Sequence, residues 1–578
     1  MDIFPTENEV ESAADALTNR FGVSAQLLGK LLGREQRDHA NDLLQRLGDK
    51  RLDKMQVARL LVVRRGPELL TGSTDAVREL RLRLLDGLSD AEVARLYREH
   101  PPGKGNVTSP SRMRRPLANM KWVARGPWPV SFVKALGLPE ILAGVRQRDT
   151  KATVEDVAPF QRPPALKDFQ QYLKDQMLDV LRKNGNKTRC MVTLPTGGGK
   201  TRTAVEAFID WMQERFANGQ YMLWIAQSEE LCEQALACIE QMWGVREYTR
   251  ALRVYRYFGG RDVPMHELRG GAVVSSIQQL HNRIKSGDPV LETILLNTGA
   301  MIIDEAHRAA SQMYAGLLKK AEELLGPQLF AMCGLTATPG RAGIYGEQET
   351  LLLADRFQWN LVHPDLGAEY DKDPLKYFID RRYLSRPHHI IVNSHREYSL
   401  TDDEVLAMKS DPDLPPAFLR RLADDQRRNE RIVRRLADLP RGTPTLVYAC
   451  TVEHAHFLSL ILEVSFGRRS AALSSDTPMT IRRGVIEDFR SGKIEFLCNF
   501  GVLTTGFDAP KTECIAIARP TTSEVLYEQI VGRGLRGPEF GGTETCLVMD
   551  FADNIKRLGR PLSYLRFKHP WATHKEED

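Results

Sequence analysis

The stretch CMVTLPTGGGKTRTAVEAF, residues 190–208, constrains the fold more than any other part of the chain. CMVTL reads as a buried strand, and after it Ala204, Val205, Phe208, Ile209 and Met212 recur at helical spacing. Between them Pro195, Thr196, Gly197, Gly198 and Gly199 make a loop whose backbone N–H groups can wrap a phosphate, with the positive end of the helix behind it. In such a loop Lys200 reaches the β- and γ-phosphates of ATP and Thr201 can bind magnesium. Leu194 stands where the GxxxxGK[ST] pattern has its first glycine.

A strand that runs into such a loop and returns through a helix belongs to a parallel α/β sheet, and the rest of the chain agrees. CMVTL, MLWIA (222–226), AVVSSI (272–277), AMIID (300–304) and AMCGLTAT (331–338) form one set of apolar runs. TLVYAC (445–450), AALSS (471–475), EFLCNF (495–500), CIAIA (514–518) and CLVMDF (546–551) form a second. The fold class expected is therefore α/β, with two tandem parallel-sheet domains at 161–375 and 441–578. Between them 376–440 reads as a linker and charged helical lead-in. MIIDEAHR ends its run on Asp304 and Glu305, which a buried strand would deliver to the phosphate site. There Asp304 would hold magnesium and Glu305 would polarise the attacking water.

Residues 1–160 read differently: apolar residues fall at helical spacing with no credible strand, giving a helical accessory region. GLSDAEVARLY (87–97) could open a helix-turn-helix. From Pro101 to Pro139 there are seven cations, Lys104, Arg112, Arg114, Arg115, Lys121, Arg125 and Lys134, and no acid, beside Trp122, Trp128 and Phe132. Unpaired charge is expensive to bury, so these cations are expected to face water or the phosphates of a nucleic acid, with Arg112, Arg114 and Arg115 gripping them. A helical packing domain with a solvated basic loop is the alternative. Global charge does not decide the point, because 80 basic residues against 75 acidic leave only +5. Eight cysteines without a CxxC pair point to reduced core thiols and no zinc. No apolar run is long enough for a membrane span, and the acidic start is unlike a signal peptide, so a cytoplasmic protein is expected.

From about Leu166 to Asp553 the motifs, in order, resemble those of the superfamily 2 helicases, specifically the branch of restriction-enzyme motor subunits and excision-repair DNA helicases. The resemblance implies two RecA-like domains and an ATP- and magnesium-dependent motor. PTGGGKT is that family's form of the phosphate loop. The resemblance makes Gln170 of LKDFQ the adenine-reading glutamine, and 224–235 and 274–280 segments that touch nucleic-acid backbone. It gives His307 of DEAH, with Thr336 and Thr338 of LTATPGR, the coupling of hydrolysis to movement. LTTGFDAP (503–510) would bring Gly506 and Asp508 near the nucleotide and Thr504 and Thr505 near the strand. In YEQIVGRGLR (527–536), Gln529, Arg533 and Arg536 would face the γ-phosphate from across the cleft. DNA is the implied partner, with a nuclease or defence-system protein to supply cleavage in a restriction or anti-phage setting. An RNA helicase using the same chemistry and a scaffold that has lost hydrolysis are the rival readings.

Overall fold

Apolar runs without polar alternation need cover on both faces, and that is how they fold. The computed structural model describes residues 7–551 apart from 33–40, 43, 48–51, 103–108, 145–153, 158–164, 216–218, 245–250, 327–329, 340–345, 371–372, 393–397, 408–412, 475–476, 478, 504–508, 510 and 522. The first sheet holds β1 (Val154–Val157), β2 (Arg189–Thr193), β3 (Tyr221–Ala226), β4 (Leu252–Tyr257), β5 (Gly271–Ser276), β6 (Thr298–Asp304), β7 (Ala331–Thr336) and β8 (Leu361–Val362). Their order across the sheet is β1-β4-β5-β3-β6-β7-β2-β8. All pairings are parallel except β1 against β4. Along β3, Met222, Trp224 and Ala226 join the core under the helices Asp168–Arg182, Lys200–Arg215 and Glu229–Gly244. Tyr221, Leu223 and Ile225 join the opposite core, with Tyr314 and Leu317 of the helix Gln312–Leu325.

The second sheet is wholly parallel: β9 (Arg386–Ile391), β10 (Thr445–Tyr448), β11 (Ser470–Leu473), β12 (Phe496–Asn499), β13 (Cys514–Ile517) and β14 (Thr545–Asp550), in the order β11-β12-β10-β13-β14-β9. Two expectations are corrected. A strand, β1, lies inside the region read as strand-free, and its partner β4 was not expected either. The stretch read as linker contributes β9, whose register along β14 runs over six residues.

Helices between Glu7 and Ala135 pack around Leu28, Leu61, Leu80, Leu84 and Phe132. Their starts follow capping chemistry: Asp53 with Gln56, and Ser89 with Glu92, each satisfy two backbone N–H groups reciprocally. Arg81 is 1% exposed, and its guanidinium donates to the carbonyls of Leu70, Gly72, Ala118 and Met120 while lying over Trp122 at 4.6 Å. Burial holds it down to about 10, with Arg78 adding to the effect. This region also reaches the second domain: Leu44, with Leu47 and Leu52 beside it, joins the cluster of Val392, Ile432, Val433 and Leu436.

Candidate active site

The strand order assembles the site. β6, β7 and β2 are consecutive neighbours, so their C-terminal ends bring together three sequence-distant segments at the edge where open parallel sheets bind ligands. Beyond β2, Gly197 and Gly199 adopt φ of 87° and 84°, which only glycine takes without strain. Gly198 N donates to Pro195 O at 3.0 Å, closing the loop onto the helix that opens at Lys200, with Thr201 in its first turn. Lys200 Nζ donates to Leu194 O at 3.1 Å and Pro195 O at 3.4 Å. Burial lowers its pKa, against the pull of Glu305 and Asp304.

At the end of β6, Asp304 is 6% exposed. Burial, with the neighbouring Glu305 charge, raises its carboxyl to about 7, opposed by Lys200 and by Arg533. Glu305 sits in the left-handed region at φ 51°, a conformation that costs a non-glycine residue about 1–3 kcal/mol and turns its side chain away from the strand. Its Oε2 lies 3.3 Å from His307 Nδ1 and makes no hydrogen bond among the described residues. The Thr336 hydroxyl donates to Thr338 O at 3.0 Å and accepts from Thr338 N, so the 3.1 Å contact with His307 Nδ1 is filled by a proton on the imidazole. A chain of contacts thus runs from Glu305 through His307 to Thr336 and Thr338, and Thr336 O accepts from Leu194 N at 3.3 Å. The buried carboxylate of Asp304 and the partly buried one of Glu305, whose Oε2 makes no hydrogen bond among the described residues, lie beside the phosphate loop and are oxygen donors of the kind a hard divalent cation takes.

The second domain closes the site. A Cβ placed on Gly532 would stand 2.4 Å from Thr196 Cβ, and one on Gly197 would stand 3.8 Å from both Gly532 O and Leu535 O. Arg533 follows that glycine, and its charge reaches both Lys200 and Asp304. Arg536 is fixed through its carbonyl, which accepts from Ser385 Oγ at 2.7 Å. Gln529 is buried on the helix Glu524–Val531.

Gln170 is 1% exposed, with Oε1 accepting from Lys167 N at 3.1 Å and Nε2 donating to Gly198 O at 3.1 Å. Its amide braces the phosphate loop. The residue before it, Phe169, joins a joint of Phe378 and Tyr383 at ring distances of 5.1 and 5.2 Å; Tyr383 stacks on Phe540, and Lys167 pairs with Glu539 at 2.6 Å. Sequence reasoning missed this joint and the role of Gly532; the small residue preceding Arg533 was the available signal.

Thr504, Thr505, Gly506 and Asp508 lie outside the described residues, as does Lys104. In the basic segment, Arg112 and Arg115 are exposed on the helix Pro110–Ala118. Arg114 corrects the expectation that all the cations face water or phosphate: its side chain is 14% exposed, pairs with Asp90 at 2.8 Å and Asp86 at 3.8 Å, and donates to Leu85 O and Leu88 O. The acids that satisfy it precede the segment in sequence. Trp122, Trp128 and Phe132 are buried and packed edge to face at 5.3–5.4 Å, so they are core and not base-stacking platforms.

Comparison with known proteins follows the same division. Residues 163–341 match the family model "Type III restriction enzyme, res subunit", and 428–537 match "Helicase conserved C-terminal domain". IRC3 of Saccharomyces cerevisiae, named for an ATP-dependent helicase, is 26% identical over 395 residues, 67% of this chain and 51% of that protein. Its Schizosaccharomyces pombe namesake irc3, named as mitochondrial, is 27% identical over 382 residues, 64% of this chain and 55% of that one. The Escherichia coli type I restriction enzyme EcoKI endonuclease subunit is 25% identical over 380 residues, covering 60% of this chain and 31% of its own. The chain spans about half the length of the two yeast relatives.

Proposed function

The chain belongs to the superfamily 2 helicases, a family of ATP-hydrolysing enzymes, and from that premise we propose that it is an ATP-driven motor that moves on DNA. The observation that carries this reading is the close approach of Gly532 to Thr196 of the phosphate loop, with Arg533, whose charge acts on Lys200 and Asp304, next in sequence. Hydrolysis that depends on a residue from across a cleft depends on how the domains sit, which is what a motor requires.

The residue roles follow from the contacts. Backbone N–H groups of 197–200 and the Lys200 ammonium bind the phosphates, with Gln170 holding the loop in shape. Thr201 and Asp304 would hold magnesium, which when bound neutralises phosphate charge. The Glu305 carboxylate, kept from full solvation and 3.3 Å from the His307 ring, takes a proton from the attacking water. Arg533 and Arg536 stabilise charge on the transferred phosphoryl. The His307–Thr336–Thr338 contacts pass the state of that carboxylate to β7. For the substrate, DNA is favoured by the restriction-subunit family model and the EcoKI relative, and the same likeness favours a restriction or anti-phage setting with a nuclease partner.

The test is ATP turnover with single-stranded DNA, forked DNA, duplex DNA and single-stranded RNA. Stimulation of at least about tenfold by a DNA is expected; greater stimulation by RNA would move the chain to the RNA-acting side, and none by any polynucleotide would end the motor reading.

A further inference from the structure

Among the described residues, the helix Glu229–Gly244 of the first domain forms two ion pairs with the second. On the first domain, β3 and β4 end at Ala226 and Tyr257, and beyond those ends come Glu229, Glu230 and Glu233 on one helix and the Gly259–Gly260 turn. The Glu229 carboxylate stands 3.2 Å from where a Cβ on Gly259 would be. On the second domain, the helix Met479–Arg490 follows the end of β11 and carries Arg482 and Arg483. Arg482 forms an ion pair with Glu230, and Arg483 Nη2 lies 3.5 Å from Glu233 Oε1, which Arg261 approaches at 3.6 Å. Arg482 is further aimed by its Nη2, which donates to Ser474 O at 3.1 Å and Thr477 O at 3.3 Å.

A phosphodiester chain laid across these strand ends, as the motor reading has it, would meet three glutamates that disfavour it and the guanidinium groups of Arg482 and Arg483 that favour it. A guanidinium fork accepts carboxylate and phosphate with the same geometry, so one can replace the other without rebuilding the site. The Arg483–Glu233 pair is partly exposed and weak enough to exchange, whereas Arg482 is buried and held more firmly by Glu230.

We propose that Glu230 and Glu233 are a built-in competitor for the nucleic-acid backbone: they hold Arg482 and Arg483 when no polynucleotide is bound and give them up to phosphates when one enters the cleft. The pairs then act as a threshold, so that a strand must engage several phosphates together to open them. This inference rests on the nucleic-acid motor reading above.

The experiment measures binding of a labelled single-stranded DNA by fluorescence anisotropy across a salt series, with thermal unfolding as a control for folding. Glu230→Gln with Glu233→Gln should tighten binding about fivefold or more, the exposed Arg483–Glu233 pair contributing up to roughly fivefold and the buried Arg482–Glu230 pair adding to it. Arg482→Ala with Arg483→Ala should weaken it and lower the salt slope by about 1.4, two phosphates at ~0.7 each. Glu230→Gln alone should tighten binding as well, by less than the double variant, and serves if the double variant unfolds. Wild-type binding with unchanged or weaker binding in the folded glutamine variants would overturn the competitor while leaving the motor intact. Failure of the wild type to bind or respond to any polynucleotide would instead remove the reading on which it rests.

Discussion

Gly532→Ala tests the two-domain site with one methyl group. Gly532 has φ −60° and ψ −16°, an ordinary helical conformation, so alanine brings no dihedral strain. The lower entropy of the unfolded chain favours it by about 0.4–1 kcal/mol. Crowding against Glu528 O at 2.9 Å offsets part of that gain, so the melting temperature should stay within about 2 °C of wild type. Across the cleft the outcome differs. The new Cβ would lie 2.4 Å from Thr196 Cβ and 2.7 Å from its Cγ2. Because a Cβ cannot rotate away from its own backbone, the surfaces must separate by about 1 Å to reach the ~3.5 Å of a relaxed carbon contact. Arg533 moves with its neighbour, and a displacement of that size at a reacting centre costs on the order of 100-fold in rate. Steady-state turnover at saturating DNA should fall by that factor, while a fluorescent nucleotide titration changes by less than about threefold. Turnover within twofold of wild type in a folded Gly532→Ala protein would refute the apposition of the second domain on the phosphate loop as the catalytic arrangement.

Lys200→Ala should lose nucleotide affinity and turnover together, whereas Glu305→Gln should bind nucleotide and lower turnover by 10²-fold or more; a Glu305→Gln protein that turns over normally would exclude it as the base. Arg112→Ala with Arg115→Ala should weaken duplex binding and cut the salt slope by up to about 1.8, while Arg114→Ala should instead lower the melting temperature, because it strips hydrogen bonds from Leu85 O and Leu88 O; equal binding losses in both would place Arg114 among the phosphate contacts. His454 is buried, with Nδ1 accepting from Cys450 N and Nε2 on Asn429 Oδ1, and burial, reinforced by Arg428, pushes it down to about 3. The unfolded chain therefore takes up a proton that the native chain refuses between pH 6.5 and 3, so this contribution is complete above 6.5 and is lost on acidification by up to ~1.4 kcal/mol per pH unit. Unfolding by urea at pH 7.5, 6 and 5 should show it, with a shallower dependence in His454→Gln.

The parts legible in sequence are those whose cause is local. The runs at 222–226 and 300–303 are apolar throughout because helices cover both faces, and the phosphate loop declares itself because three glycines and a lysine suffice to make it. β4 escaped notice because LRVYRY carries Arg256, which is fully buried and pairs with Glu240 on the neighbouring helix. β9 escaped because RPHHII is an edge strand, half exposed, with nothing in its composition to separate it from a linker. Arg114 was misread by counting charge along the chain, when Asp86 and Asp90 reach it from the preceding helices. The Gly532 contact and the Glu230–Arg482 pair join residues more than 200 positions apart, and no local pattern encodes them.

The seat of Leu44 in the second domain's core has a mechanical consequence. The accessory region is tied covalently to the first domain, where β1 enters the sheet beside β4, and rests by its leucines on the second, while the aromatic joint around Phe169 and Tyr383 links those two directly. Three bodies joined pairwise make a closed linkage, and a closed linkage has a bounded stroke. The bundle can therefore follow the second domain only so far before either the Leu44 seat or the pairing of β1 with β4 must yield.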